Sequence, residues 1–381
     1  MPAPDPAEPR RMLDLAARLA LRALGRAEPN PLVGCVLVRD GAILGMGHHK
    51  QDGGPHAEAH ALLDAARRGH SPAGATAYVT LEPCAVDGRQ PSCAAALISA
   101  RVARVVFARA DPHPQKGGGA AVLRAAGIAC EHSDASPLAR GVGAPFAKRV
   151  TTGLPWTIAK WAQTIDGRVA TRTGESRWIS GELARARVHR LRGRVDAIIT
   201  GIGTVLADDP LLTARGVRPR RIALRVVADT DLDLPVTSQL ARTARSFPTL
   251  AACDSAVASA EVFSGRRRAL QDSGVQVLGV PSAGGARGID LHELLRTLFS
   301  AHRVSTALVE AGPGILGAML EQDLIDEAVV YIAPMVLGDD LAKAAAAGRV
   351  APSLSHGRIF DLWRVRPLSG DVELTYRRRE A

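Results

Sequence analysis

Met12, Leu15, Leu19 and Ala23 recur at intervals of three and four, with Leu13, Ala16, Ala20 and Leu24 beside them. That period predicts an amphipathic helix from Met12 to Gly25, where the glycine can end it. The Pro-rich residues 1–10 ahead of it are expected to be loose. The period then changes. Gly34 to Val38 and Ala42 to Gly47 are short apolar runs around Arg39-Asp40-Gly41, and Asp-Gly between such runs signals a hairpin. Ala57 to Arg68 returns to helical spacing. Ala75 to Leu81 reads as a strand, Cys93 to Ala100 as a helix, Arg104 to Ala108 as a strand and Gly119 to Ala126 as a helix. Alternating strands and helices predict a layered α/β domain over residues 1–150. Thr151-Thr152-Gly153-Leu154-Pro155, polar and holding Gly and Pro, is the expected boundary.

A second α/β domain is expected over residues 155–381. Strands are predicted at Trp156 to Trp161, Ala197 to Thr200, Arg221 to Ala228, Thr249 to Cys253, Gln276 to Val280, Ala307 to Glu310 and Glu327 to Ile332. Helices are predicted at Gly181 to Arg192, Leu291 to Ala301 and Ile315 to Gln322. This spacing suits a mainly parallel sheet. No internal repeat is visible.

Length agrees: 381 residues suffice for two cores. The formal charge of +10 is spread over both halves, and the basic runs, Arg266 to Arg268 and Arg377 to Arg379, are short. A nucleic-acid binder would more often concentrate charge and interleave aromatics. Either a solvated surface or attraction of small anions such as phosphates accounts for the charge. Five scattered cysteines do not form a disulfide framework. No signal pattern opens the chain and no apolar run reaches membrane-spanning length. A soluble protein of a reducing cytoplasm is expected, with no membrane and no nucleic-acid partner.

Chemistry is concentrated at His56-Ala57-Glu58, followed by Pro83-Cys84 and then Cys93. One imidazole and two thiolates give zinc three ligands and leave a fourth position open for water. Zinc acidifies that water, and Glu58, close to a ligand but not one itself, can carry its proton to a leaving amine. His-x-Glu followed by Pro-Cys and a second Cys is the zinc nucleobase-deaminase signature. Each residue alone would be a buried cysteine or an unrelated histidine. Most such enzymes space the cysteines C-x-x-C, whereas eight residues separate Cys84 from Cys93.

Asn30-Pro31-Leu32-Val33-Gly34-Cys35-Val36, Gly53-Gly54-Pro55-His56-Ala57-Glu58 and Tyr78-Val79-Thr80-Leu81-Glu82-Pro83-Cys84, with Cys93, resemble the bifunctional riboflavin-biosynthesis family. That family joins a diaminohydroxyphosphoribosylaminopyrimidine deaminase to a 5-amino-6-(5-phosphoribosylamino)uracil reductase. The resemblance covers essentially the whole chain. It implies a cytidine-deaminase-like three-layer domain in which His56, Cys84 and Cys93 hold zinc and Glu58 shuttles the proton. Asn30, His49 and Arg89 are then contacts to the substrate. The family commonly has His where this chain has Val86.

In the second half, Gly312-Pro313-Gly314-Ile315-Leu316-Gly317 fits G-x-G-x-x-G after a predicted strand, and Thr200-Gly201-Ile202-Gly203-Thr204 is a second glycine turn. Two such turns at strand ends suggest a nucleotide crevice, although one alone is as readily a simple turn. Four further stretches resemble the same family's reductase: Lys160 to Arg168, Ser176 to Ser180, Gly203 to Thr213 and Glu310 to Pro313. The resemblance implies a dihydrofolate-reductase-like fold binding NADPH. By it Ala162, Trp178, Thr204, Asp208, Thr230 and Gly312-Pro313-Gly314-Ile315-Leu316-Gly317-Ala318 line the cofactor site. Ser176, Arg192, Leu212, Arg215 and Glu310 contact the phosphorylated substrate, guanidinium suiting phosphate. Lys160, Asp208 and Glu310 surround the reacting ribose carbon.

The expected function is zinc-dependent deamination of a phosphorylated diaminopyrimidine, then NADPH-dependent reduction of its ribosyl group, with dimerisation through the reductase part. A nucleic-acid deaminase with a fused binding domain would share His56, Glu58, Cys84 and Cys93 but would not need Trp178, Asp208 or the Gly312 loop.

Overall fold

The computed structural model describes residues 7–88, 91–284 and 288–379. The chain divides between Gly153 and Leu154 into two units. The N-terminal unit runs α1 (Glu8–Ala20), β1 (Gly34–Arg39), β2 (Ala42–His48), α2 (Ala57–Arg67), β3 (Thr76–Val79), α3 (Cys93–Ser99), β4 (Arg104–Phe107), α4 (Gly119–Ala125), β5 (Ala129–His132), α5 (Pro137–Val142) and α6 (Ala144–Thr152). Its strands lie in the order β2-β1-β3-β4-β5. β1 is antiparallel to both neighbours, and β3, β4 and β5 are parallel.

Side chains alternate across a strand, and here that alternation divides the apolar residues between two cores. Cys35, Leu37, Ala77, Val79, Val105 and Phe107 pack with α2, α3 and α4. Val36, Val38, Tyr78 and Val106 turn the other way, onto α1 and α5. The result is the expected three-layer, cytidine-deaminase-like arrangement. The first helix starts earlier than its apolar period indicates. Pro9 is tolerated in a first turn, and Glu8 accepts a 2.6 Å hydrogen bond from the Tyr78 hydroxyl.

The C-terminal unit runs β6 (Trp156–Gln163), β7 (Arg168–Ala170), α7 (Glu182–Arg192), β8 (Ala197–Gly201), α8 (Ile202–Asp208), β9 (Leu224–Ala228), α9 (Gln239–Arg242), β10 (Thr249–Asp254), α10 (Ser255–Ser259), α11 (Ser264–Ser273), β11 (Gln276–Val280), α12 (Leu291–Ser300), β12 (Thr306–Val309), α13 (Pro313–Glu321), β13 (Glu327–Ile332), β14 (Lys343–Ala344), β15 (Phe360–Leu368) and β16 (Asp371–Arg378). Nine strands form one sheet in the order β11-β10-β9-β8-β12-β6-β13-β16-β15. The first seven are parallel, and the β15–β16 hairpin adds an antiparallel edge. β7 and β14 form a separate ribbon.

β9 starts at Leu224 rather than Arg221, because the Arg221 N–H bonds the Gly193 carbonyl and its guanidinium pairs with Asp196. This strand is not apolar throughout: Arg225 is fully buried within it. Its guanidinium donates to the carbonyls of Leu211, Leu240 and Phe247 and to Thr243 and Thr249. No helix among the described residues is long and apolar enough to cross a membrane.

Candidate active sites

In the N-terminal unit the chemistry gathers at the starts of α2 and α3. α2 lies tightly on β2: a Cβ on Gly47 would stand 2.3 Å from the Ala57 carbonyl oxygen, so only glycine allows that approach. His56 is the N-cap residue of α2, and Glu58 sits in its first turn, 3% exposed. Cys93 opens α3. The long segment between the cysteines is closed by its own hydrogen bonds. Asp87 Oδ1 accepts the Ser92 N–H at 2.7 Å, Ser92 Oγ donates to the Cys84 carbonyl at 3.0 Å, and the Cys93 N–H reaches Cys84 Sγ at 3.2 Å.

His56 Nδ1 lies 3.2 Å from Cys93 Sγ and 3.7 Å from Cys84 Sγ, and the three donor atoms are within 4.8 Å of one another. Zinc bonds of about 2.1 Å to nitrogen and 2.3 Å to sulfur, at tetrahedral angles, require N···S edges of about 3.6 Å. The donor set therefore fits zinc in both chemistry and size. The hydrogen bond to Cys84 and burial push the Cys93 thiol up, while Cys84 is drawn well below its ordinary value, first by that bond and further by His56, against burial. That favours the thiolate a metal needs. His56 is raised by its bond to Cys84, and Glu58 is raised by burial despite the nearby imidazole.

His49 and Asn30 stand beside this cluster. The His49 ring lies edge-on to His56, with centroids 5.6 Å apart. The Asn30 amide NH2 donates to His49 Nε2 at 3.2 Å, so Nδ1 carries the proton and donates to the Pro55 carbonyl at 3.0 Å. Burial lowers the pKa of this histidine, which agrees with the neutral tautomer. Val86 is exposed on the turn after Cys84. Arg89 lies outside the described residues.

Glu82 was not singled out from the sequence. Its carboxylate accepts the N–H groups of Ala120, at 2.9 Å, and Asp111, at 3.1 Å. It thus fixes the start of α4 against Pro83, whose carbonyl would lie 1.8 Å from a Cβ on Gly119. Its place inside the Tyr78 to Cys84 stretch was the available signal.

In the C-terminal unit the chain winds outward from β8 through β9, β10 and β11, then returns to β12 on the other side of β8. Such a reversal opens a crevice at the strand C-termini. A cavity of about 1070 Å³ lies there, walled by the ends of β6, β8 and β12, by residues 176–180 and 207–212, and by Gly174 and Arg215. Glu310, just past β12, is its charged centre. Arg192 of α7 grips it with both arms, Nε to Oε1 at 2.6 Å and a terminal nitrogen to Oε2 at 3.0 Å. Lys160 of β6 is 3.8 Å from Oε2. Burial opposes the Glu310 charge, but Arg192 and then Lys160 hold it at about 2. Burial lowers Lys160 in spite of Glu310.

Most of the expected reductase residues meet in this cavity. Ala162 lies on β6, while Thr204 and Asp208 lie on α8. Gly312, Pro313, Gly314 and Ile315 face it from the start of α13. Ser176 and Trp178 line the other rim, the Trp178 ring 67% exposed beneath the Arg185 guanidinium at 4.7 Å. Leu212, at φ 50°, and Arg215 complete the floor. No atom lies within 4 Å of where a Cβ would stand on Gly203 or Gly314, so a phosphate has room to approach the backbone. Size and bare glycine turns together fit a dinucleotide.

Four expected cofactor contacts lie elsewhere. Leu316 is buried in the core. A Cβ on Gly317 would be 1.8 Å from the Ala347 carbonyl oxygen, so this glycine serves packing. Ala318 packs on the same core as Leu316. Thr230 lies past β9, away from the cavity wall, where its carbonyl accepts the Asp254 N–H. His189 and Lys343, not anticipated, do line the cavity.

Comparison with known proteins agrees with both halves. The cytidine and deoxycytidylate deaminase zinc-binding region matches residues 7–109, and the RibD C-terminal domain matches residues 155–354. The riboflavin biosynthesis protein RibD of Escherichia coli (strain K12) is 41% identical over 335 residues, covering 85% of this chain and 87% of that one. The RibD of Aquifex aeolicus (strain VF5) is 37% identical over 331 residues, covering 87% and 88%. Among solved structures, Acinetobacter baumannii RibD (form 1) superposes with a TM-score of 0.77 at 36% identity, covering 98% of this chain and 99% of that one. A diaminohydroxyphosphoribosylaminopyrimidine deaminase/5-amino-6-(5-phosphoribosylamino)uracil reductase from Thermotoga maritima superposes at 0.78 with 28% identity, covering 97% and 99%. With two converging site clusters, two matching domains and relatives that span most of its length, the chain belongs to the RibD family of riboflavin-biosynthesis proteins.

Proposed function

We propose that this chain carries out two successive reactions on a phosphorylated pyrimidine. Residues 1–150 deaminate 2,5-diamino-6-ribosylamino-4(3H)-pyrimidinone 5′-phosphate, and residues 155–381 reduce the ribosyl group of the product to ribityl with NADPH. The observation that carries this is the convergence of His56, Cys84 and Cys93 beside the buried Glu58, in one chain with a dinucleotide-sized cavity around Glu310.

In the first reaction His56, Cys84 and Cys93 hold zinc, which when bound supplies Lewis acidity and lowers the pKa of a water in its open position. Glu58 takes that water's proton on a carboxylate oxygen and delivers it to the departing amine. The raised pKa of Glu58 suits a group that must both accept and return a proton. Asn30 and His49, locked to each other, orient the pyrimidine, and Arg89 adds a cation for the substrate.

In the second reaction NADPH supplies the hydride. Ala162, Trp178, Thr204, Asp208 and the Gly312-Pro313-Gly314-Ile315 turn bind it. Lys160 gives up the proton that balances the hydride, a role supported by its burial-lowered pKa. Glu310 keeps Lys160 and Arg192 in position, while Ser176, Leu212 and Arg215 contact the substrate. Arg215 touches Thr213 Oγ1 only at 3.5 Å and is the freer of the two arginines for phosphate.

The protein works in the cytoplasm as a homodimer joined through residues 155–381. All five cysteines are unpaired, and the edge strand β15 leaves Leu362 and Val365 exposed. A coupled assay tests the two activities on one sample, with zinc content measured in parallel. Ammonia release should need zinc, and NADPH oxidation should need the deaminated product. Stoichiometrically zinc-loaded protein that releases no ammonia from the diaminopyrimidine ribotide would refute the first assignment.

A further inference from the structure

The two reactions leave one part of the C-terminal unit without a role. β7 and β14 pair only with each other, Lys343 opposite Ala170. A two-stranded ribbon this short does not hold itself together in water. Side chains do it instead. Asp166 accepts the N–H groups of Leu337 and Gly338 at 3.2 and 2.9 Å. Arg168 donates to the Ala342 carbonyl at 3.0 Å. Arg172 grips Asp339 with two bonds, at 2.7 and 2.6 Å. These links join residues far apart in sequence, and their joint effect is to fix the backbone of residue 343.

Lys343 lies on the wall of the large cavity. Its ammonium rests against the left-handed turn at Gly174, where a Cβ would stand 3.3 Å from Nζ. Apart from Arg215, which has only a 3.5 Å contact to Thr213, the other guanidinium and ammonium groups on that wall are engaged by protein groups. Lys160 and Arg192 face Glu310, Arg177 faces Asp208, and Arg185 bonds the Ser180 carbonyl. Lys343 has no hydrogen bond or ion pair among the described residues. Lys343 is exposed, but the pinned ribbon fixes its backbone beside the cavity, and an ammonium there without a protein carboxylate can take an anion from solution.

We propose that Lys343 binds a phosphate monoester entering the reductase cavity. Two ligands of that reaction carry one: the 5′-phosphate of the pyrimidine ribotide, and the 2′-phosphate that distinguishes NADPH from NADH. The assignment rests on the reductase function proposed above.

The test uses the purified full chain, as wild type, Lys343→Gln and Lys343→Arg, with calorimetric titration of NADPH, NADH and the deaminated ribotide. One charge-assisted contact at a partly solvated site predicts about tenfold weaker binding for Lys343→Gln at low salt. The deficit should shrink at high ionic strength, and Lys343→Arg should recover most of it. Loss confined to the ribotide assigns its 5′-phosphate. Loss for NADPH with NADH unchanged assigns the 2′-phosphate. Binding of all three ligands within twofold of wild type overturns the proposal, and so does equal weakening of NADPH and NADH, which would indicate the shared pyrophosphate. Wild-type protein that binds neither cofactor sinks the reductase function itself, and with it the proposal. A wild-type-like urea transition followed by tryptophan fluorescence, with all four tryptophans in the same unit as Lys343, verifies that each variant is folded there.

Discussion

Replacing Arg192 with Met tests the charged centre of the reductase cavity. The Arg192 and Glu310 side chains are only 13% and 10% exposed, so solvent screens them little. Glu310 is held at about 2 against an ordinary value of 4.5, a difference worth about 3 kcal/mol at neutral pH. That agrees with the roughly 3–5 kcal/mol expected when one partner of a buried pair is removed. Arg192→Met should therefore destabilise the C-terminal unit by about 3 kcal/mol. All four tryptophans, Trp156, Trp161, Trp178 and Trp363, belong to that unit, so urea denaturation followed by tryptophan fluorescence reports on it alone. The pH dependence has a definite sign. A carboxylate whose folded pKa is depressed contributes its full stability above its unfolded value and loses it as pH falls through the folded one. The gap between wild type and Arg192→Met should be flat from pH 7 to about 5 and should narrow from about pH 4.5 towards 2. The double variant Arg192→Met/Glu310→Leu should not regain wild-type stability or NADPH oxidation, because losing Glu310 leaves the Lys160 ammonium buried without its carboxylate. A gap below about 1 kcal/mol at pH 7, or one unchanged down to pH 3, would refute the claim that Arg192 holds the buried Glu310 charge at the centre of the cavity.

Other outcomes follow from single sites. Glu58→Gln should lower ammonia release by about 10²–10⁴-fold while zinc content and NADPH oxidation on pre-deaminated substrate stay at wild-type levels; a drop in zinc would mean that Glu58 supports the metal. Cys84→Ser should lose zinc on dialysis and deamination with it, as measured by elemental analysis, because the three-donor set is broken. Gly317→Ala should cost about 1–3 kcal/mol by overpacking against Ala347, read in the same tryptophan unfolding assay. A raised KM for NADPH with unchanged stability would instead return this glycine to the cofactor site.

What could be read from the sequence follows from which interactions are local. Buried parallel strands such as Ala197–Gly201 and Thr306–Val309 are nearly continuous apolar runs, and their period or length identifies them. The β15–β16 hairpin carried no such signal. The buried face of β16 holds Asp371, Glu373 and Thr375, the reverse of the pattern expected for a core strand. The inversion is stable because Arg187, Arg366 and the Tyr331 hydroxyl surround Glu373. Those partners come from α7, β15 and β13, so no local window contains them. Arg225 in β9 is a similar case, its charge satisfied by groups from outside its own strand.

The same distinction separates the two sites. In the deaminase half His56, Glu58 and Cys93 sit at the starts of helices and Cys84 in the short Pro-Cys signature of the loop before α3, so reading the four in order was enough to bring them together. Glycine signatures are less direct, because an α-helix turns by about 100° per residue. Gly312 and Gly314 begin α13 and face the cavity, but by Leu316 and Gly317 the helix has rotated into the core and against Ala347. A motif that counts glycines cannot distinguish one that admits phosphate from one that admits a neighbouring backbone. Lys343 reverses the problem: it carries no motif, and only the pairing of residues 168–170 with 343–344 brings it to the cavity wall. A substitution in the ribbon's pins, such as Arg172 or Asp339, should therefore act on ligand affinity through the position of Lys343. Chemistry supplied by one short segment is legible from sequence, whereas a charge delivered to a site by long-range pairing requires the fold.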